Sequence, residues 1–151
     1  MNKLGDILTG SNDDDLLYEL YRRIERPRNP AQAVFVDAWQ LSEFIASDGF
    51  EILFEQERSI DEFAELFANI GFTEALPVFQ RVKAVVPNTM LSKNFDVALG
   101  DHLRANCERL KELLYEYFDV SNAHLMPAFA GFVRKHHEEF SEHLASNAND
   151  G

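Results

Sequence analysis

The stretch Ser59-Ile60-Asp61-Glu62-Phe63-Ala64-Glu65-Leu66-Phe67-Ala68-Asn69-Ile70-Gly71 decides the fold class. Ser59 with Glu62 three residues later is a capping box, in which the hydroxyl accepts a backbone N–H that a helix start leaves without a partner. Ile60, Phe63, Phe67 and Ile70 recur at steps of three and four, so they share one face of a helix. Asp61, Glu62 and Glu65 fall on the other face. Gly71 supplies the stop, since a residue past a helix end often takes a left-handed backbone that glycine adopts without strain.

The same punctuation extends in both directions. Toward the N-terminus, Phe50, Leu53 and Phe54 mark a short helix. Asn29-Pro30 opens a helix with Val34, Phe35, Ala38, Leu41 and Ile45 on one face, closed by Asp48-Gly49. Ser11 and Asn12 cap a first helix carrying Leu16, Leu17, Leu20, Tyr21 and Ile24, with Asp13, Asp14 and Asp15 at its start and Arg22 and Arg23 near its end. Toward the C-terminus, Thr73 is read as the cap of a helix to Val86-Pro87, with Pro77 early enough to be tolerated. Residues 87–94 read as a loop. A helix from Phe95 or Asp101 to Phe118 follows, broken near Gly100, and then one from Ala123 to Phe140 that Pro127 bends or starts. No strand-like alternation, repeat or low-complexity tract interrupts this pattern. The expected fold is all-α: one bundle of about six to seven helices over residues 11–145, with a flexible segment 1–10 and a frayed tail 146–151.

Composition bounds the function. The chain has 151 residues, with 26 acidic and 14 basic side chains for a formal charge of −12. Its 46% hydrophobic residues and 13 Phe supply a core for one domain, which excludes disorder throughout. The acidity argues against direct binding to DNA, RNA or an anionic membrane. The single Cys, Cys107, forms no internal disulfide, and its spacing from Leu103, Leu110, Leu114 and Tyr117 reads as a small buried hydrophobe. Residues 1–10 lack the basic and apolar regions of a signal peptide, and no stretch approaches a membrane span of ~18 apolar residues. The expected location is the cytoplasm.

Catalytic patterns for phosphate cradles, zinc proteases, dithiols and serine hydrolases are absent. His136, Glu139 and His143, at steps of three and four, have the spacing of metal ligands on one helix face and equally that of a polar helix end. The carboxylate pairs Glu51 with Glu55 and Asp61 with Glu65 lie opposite the Phe stripes, where no apolar pocket raises a carboxyl pKa for acid catalysis. No catalytic residue, metal or cofactor is assigned.

The placement of the acid says more than its total. From Glu43 to Glu74, nine carboxylates (Glu43, Asp48, Glu51, Glu55, Glu57, Asp61, Glu62, Glu65, Glu74) face one base, Arg58, a net −8 in 32 residues. Glu108, Glu112 and Glu116 repeat every four residues in a second row. Such rows are either a solubilising surface or one that attracts a basic partner. Carboxylates one helical turn apart lie ~5–6 Å from each other, near the phosphate spacing of a nucleic-acid strand.

The segment Leu41-Ser42-Glu43-Phe44-Ile45-Ala46-Ser47-Asp48-Gly49-Phe50-Glu51-Ile52-Leu53-Phe54 resembles the Asn/Asp-Gly-Phe segment of the DNA-mimic-protein domain family, small bacterial helical proteins mostly of unknown function. Ala68-Asn69-Ile70-Gly71-Phe72, Leu113-Leu114-Tyr115-Glu116-Tyr117-Phe118 and Phe132-Val133-Arg134-Lys135-His136-His137-Glu138-Glu139-Phe140 are similar to its later blocks. Asp48 stands where the family often has a further Gly, and His137 where it often has Pro. The resemblance implies a compact all-α bundle, possible homodimers, and no cofactor or catalysis. The family's named activity is imitation of DNA to occupy a DNA-binding transcriptional regulator; it rests on surface charge, which the fold motifs do not fix, so here it depends on the acidic rows.

Two functional expectations follow. The first is a non-enzymatic protein whose partner-binding residues Glu51, Glu55, Glu57, Asp61, Glu62 and Glu65 attract a basic protein. The alternative is a protein-interaction or immunity-type module that binds through an apolar groove, with its anchors the exposed aromatics among Trp39, Phe44, Tyr115 and Tyr117; Trp39 reads first as plain core. The cluster Arg22, Arg23, Arg26 and Arg28 either pairs with the acidic face, within one molecule or across a dimer, or complements a helix end.

Overall fold

Helix starts and stops lie where side chains meet the unpaired ends of the backbone. The computed structural model describes residues 14–50, 59–86 and 97–145, and among them there is no strand. The described elements are α1 (Asp14–Arg23), α2 (Pro30–Asp48), α3 (Ile60–Asn69), a 3-10 turn (Thr73–Ala75), α4 (Leu76–Val85), α5 (Val97–Ala105), α6 (Cys107–Lys135) and α7 (His137–Ala145). The expected all-α bundle is therefore what the described residues form, with seven α-helices among them. The expected short helix after Phe50, the loop 87–94 and the segments 1–10 and 146–151 lie outside the described residues.

Local chemistry explains the ends. Ser59 Oγ accepts the Glu62 N–H at 3.2 Å, and Asn29 Oδ1 accepts the Gln32 N–H at 2.9 Å, with Pro30 at the first turn of α2. At the end of α3, Gly71 takes φ 86°, its N–H bonds the Ala68 carbonyl, and the Phe72 N–H bonds the Phe67 carbonyl, both at 2.9 Å. This is a Schellman closure, completed by the Phe67 and Phe72 rings 5.3 Å apart. Gly49 ends α2 at φ 77°, a backbone that a side chain would strain.

Two aromatic clusters fill the core. In the first, Phe35 and Trp39 of α2 meet Phe129 of α6 at 5.4 and 5.0 Å, Tyr21 stacks on Trp39, and Phe140 of α7 closes against Phe35. In the second, Phe67 of α3 and Phe79 of α4 lie 5.5 Å apart, and Phe50 and Tyr117 complete the group. The 29 residues of α6 extend about 43 Å, enough to contribute Tyr117 to one cluster and Phe129 to the other.

Several expectations about the chain after Gly71 are corrected. The break near Gly100 and the gap after Phe118 do not occur; the breaks fall instead at Asn106 and His136. Ala123 and Pro127 are both exposed, so water can meet the carbonyl that Pro127 leaves without an N–H, and buried Leu125, Phe129, Ala130 and Val133 hold the helix through the proline. Cys107 is exposed rather than buried, because the break at Asn106 ends the register that aligned it with Leu103. Thr73 starts a 3-10 turn without a side-chain cap bond, and α4 proper begins at Leu76. No helix among the described residues is long and apolar enough to cross a membrane.

Candidate functional site

The acidic face is built on α3. Burial of Ile60, Phe63, Ala64, Leu66 and Phe67 against α2 and α4 leaves Asp61, Glu62 and Glu65 exposed on the outer side. Glu51, Glu55 and Glu57, the other expected partner contacts, lie outside the described residues. Lys83 of α4 pairs with Asp61 at 2.7 Å, and Arg81 of the same helix pairs with Glu116 of α6 at 3.0 Å. Helix α4 thus runs between the two carboxylate rows with a base turned toward each. Glu108 and Glu112 are also exposed, and Arg109 meets Glu112 at 3.1 Å. None of the described carboxylates is buried. Exposed pairs of this kind contribute ~0–1 kcal/mol each, so the rows shape the surface field more than they stabilise the fold.

The arginine cluster is placed elsewhere. Arg23 bonds Glu19 at 2.9 Å and reaches the His143 carbonyl at 3.4 Å, while Arg28 pairs with Glu142. Arg22 sets its guanidinium carbon 6.0 Å from the centre of the Tyr18 ring. Arg23 and Arg28 therefore tie α1 and the α1–α2 link to the last turns of α7, where cations meet the negative helix end. Asn29 and Gln32 add to this seam by donating to the Glu139 carbonyl at 3.0 and 2.7 Å.

His136, Glu139 and His143 do not share one helix. His136 occupies the break between α6 and α7 and packs on Phe132 with ring centres 4.5 Å apart, whereas Glu139 and His143 belong to α7. His143 is 8% exposed, and burial lowers its pKa; Glu142 opposes that shift, while Arg28 and Arg23 reinforce it. Among the described residues, no group of three or more His, Cys, Asp or Glu side chains is placed to hold a metal ion.

The four expected groove anchors separate into pairs. Phe44 and Tyr115 are 44% and 58% exposed, while Trp39 and Tyr117 are 3% and 1% exposed. The buried pair nonetheless lines a cleft of about 490 Å³ between α1, α2 and α6. Its walls include Tyr18, Trp39, Phe118, Leu125 and Met126, with the carboxylates Asp14 and Glu43. Glu43 accepts the Trp39 indole N–H at 2.5 Å, and Ser42 and Ser121 each donate to a backbone carbonyl of their own helix. The Tyr117 hydroxyl is buried with no hydrogen-bond partner among the described residues, and burial pushes its pKa well above the ordinary tyrosine value. Sequence reasoning named Trp39 and Tyr117 among its groove candidates but missed the other walls, because Asp14, Phe118 and Met126 converge on them only in three dimensions. The spacing of Trp39 and Glu43, one turn apart on α2, was its one local trace.

No family model, curated protein or solved structure matches the chain.

Proposed function

We propose that this chain is a non-enzymatic acidic protein that engages a basic protein partner, a DNA-binding regulator in the reading that the resemblance to the DNA-mimic-protein domain family supports. The observation that carries the reading is the exposure of Asp61, Glu62 and Glu65 on one helix within a segment of net −8. Those carboxylates steer a cationic surface over distances comparable with the ~8–10 Å screening length and then occupy its phosphate-binding Lys and Arg. Surface carboxylates also favour binding over acid–base catalysis, which relies on desolvation to shift a carboxyl pKa. The test is capture of lysate proteins at low and high salt, with duplex DNA as competitor. A basic DNA-binding protein released by both salt and DNA is expected, and capture weakens when Asp61→Asn, Glu62→Gln and Glu65→Gln are combined. Binding that ignores salt and survives that triple variant overturns the reading.

Exposed Phe44 and Tyr115 support a second reading, an interaction module with an apolar anchor. Its signature is a salt-resistant complex, or a homodimer, lost on Tyr115→Ala.

A further inference from the structure

We propose that the cleft between α1, α2 and α6 is the seat of an arginine side chain presented by the basic partner. The identity of the carrier rests on the function proposed above; the chemistry of the cleft does not.

Three features of the cleft agree on this occupant. Its volume of about 490 Å³ falls within the ~300–1,000 Å³ common for sites that enclose a small group. Its walls combine Tyr18 and Trp39 with Phe118, Leu125 and Met126, which suits an apolar stem and a flat cationic head. Its charge has one sign among the described residues: Asp14 and Glu43 line it, and no described Lys, Arg or His does. A wholly apolar occupant would desolvate Glu43 without replacing water, at a cost that a guanidinium avoids by donating to the carboxylate.

The details favour guanidinium over ammonium. One Glu43 oxygen already accepts the Trp39 N–H at 2.5 Å, which fixes the carboxylate beside the indole. A planar fork can donate to that carboxylate and stack on an aromatic face at once, whereas a compact ammonium ion does not stack. Tyr18, 51% exposed at the mouth, already has the Arg22 guanidinium carbon 6.0 Å from its ring centre, so this ring accepts such a neighbour. Tyr117 adds a wall residue whose buried hydroxyl has no partner among the described residues.

Trp39 is the only tryptophan in the chain, so intrinsic indole fluorescence reports on the cleft alone. The experiment titrates the full chain with N-acetyl-arginine amide and, in parallel, with N-acetyl-citrulline amide, which keeps the shape and loses the charge. A saturable change in Trp39 emission with the arginine compound, at least about fivefold weaker with citrulline, is expected for a charge-assisted and cation–π contact. Glu43→Gln, which keeps an acceptor for the indole N–H, should weaken the arginine response by a similar factor. Tyr18→Ala, at an exposed position, should weaken it without unfolding the chain. Equal responses to the two compounds, no saturable response, or a response unchanged by Glu43→Gln overturns the proposal. The triple variant of Asp61, Glu62 and Glu65 separates the two readings. It should weaken partner capture while leaving the arginine titration intact, so failure of one assay does not imply failure of the other.

Discussion

Around Phe35, Trp39 and Phe129 the aromatic packing is edged by polar cross-links, whereas in the cluster of Phe67, Phe79 and Tyr117 a buried hydroxyl has no partner among the described residues. In the first region Trp39 donates to Glu43, Gln32 and Asn29 donate to Glu139, and Arg23 reaches His143. Directional bonds there fix how α7 sits on α2 and how α1 meets α7. The buried part of the second region is held by shape, through rings from α3, α4 and α6 and the close of Phe72 over the end of α3, with the exposed Lys83–Asp61 and Arg81–Glu116 pairs only at its surface. The cleft lies where the two meet, with Trp39 on one wall and Tyr117 on another. A cooperative core can thus be specified by polar contacts at one end and by packing at the other, and the seam between them is where a guest can enter.

The strongest test of the comparison removes one ring from each region. Phe35 and Phe79 are both fully buried, so Phe35→Ala and Phe79→Ala should each cost ~3–5 kcal/mol in urea denaturation. If the regions form one cooperative unit, helical circular dichroism and Trp39 fluorescence will unfold together in both variants. Separate transitions in Phe79→Ala, with the fluorescence outlasting the helical signal, would divide the bundle in two.

The next effect belongs to the polar region alone. Gln32 is fully buried; its amide nitrogen donates to the Glu139 carbonyl and its amide oxygen accepts the Arg28 N–H at 3.0 Å. Gln32→Ala strands the Arg28 N–H and leaves the Glu139 carbonyl to Asn29 alone, and should cost ~1–3 kcal/mol, readable from the same denaturation curves. Gln32→Glu keeps the acceptor for Arg28 and turns the donor toward Glu139 into a second acceptor, so a loss of similar size is expected there.

These residues also mark the limit of what the sequence made legible. The capping box at Ser59 and the stop at Gly71 were readable because each is complete within a few residues and its bonds are local. The placement of Asp61, Glu62 and Glu65 opposite the Phe stripe followed from helical period alone. Pro127 misled because its cost is offset by packing from α2 and α7, which no local window contains. Cys107 misled because one residue of break at Asn106 rotates everything after it. The arginine cluster left several partners open, and the fold chose the end of α7, more than a hundred residues away. The cleft was hidden for the same reason, being a product of three helices rather than of one.

A pH dependence should come from the polar region as well. An unfolded histidine titrates near pH ~6.5, and burial lowers the folded value for His143 below that. The unfolded state therefore takes up the proton first. The stability linked to neutral His143 is fully present above the unfolded value and is lost as pH falls through it toward the folded value. A melting temperature that falls on mild acidification is expected, with a shallower fall in His143→Gln. Parallel curves for the two proteins would remove His143 as the source.

The smallest expected effect discriminates best between the regions. Trp39 and Tyr117 are buried aromatics that each carry one polar group, and the phenylalanine substitution removes that group from both. Trp39→Phe takes away the N–H that Glu43 accepts and shrinks a packed ring, so it destabilises. Tyr117→Phe keeps the ring among Phe50, Phe67 and Phe79 and deletes a hydroxyl that meets no partner among the described residues. Leaving such a group buried costs ~1–3 kcal/mol, so its removal should leave stability unchanged or raise it by up to about 1 kcal/mol. Opposite signs in the two variants would establish that polar closure belongs to the first region and packing to the second. A loss above ~1 kcal/mol in Tyr117→Phe would instead show that the hydroxyl is satisfied in solution. The second cluster would then be edged by a polar contact like the first, and the seam between them would be continuous.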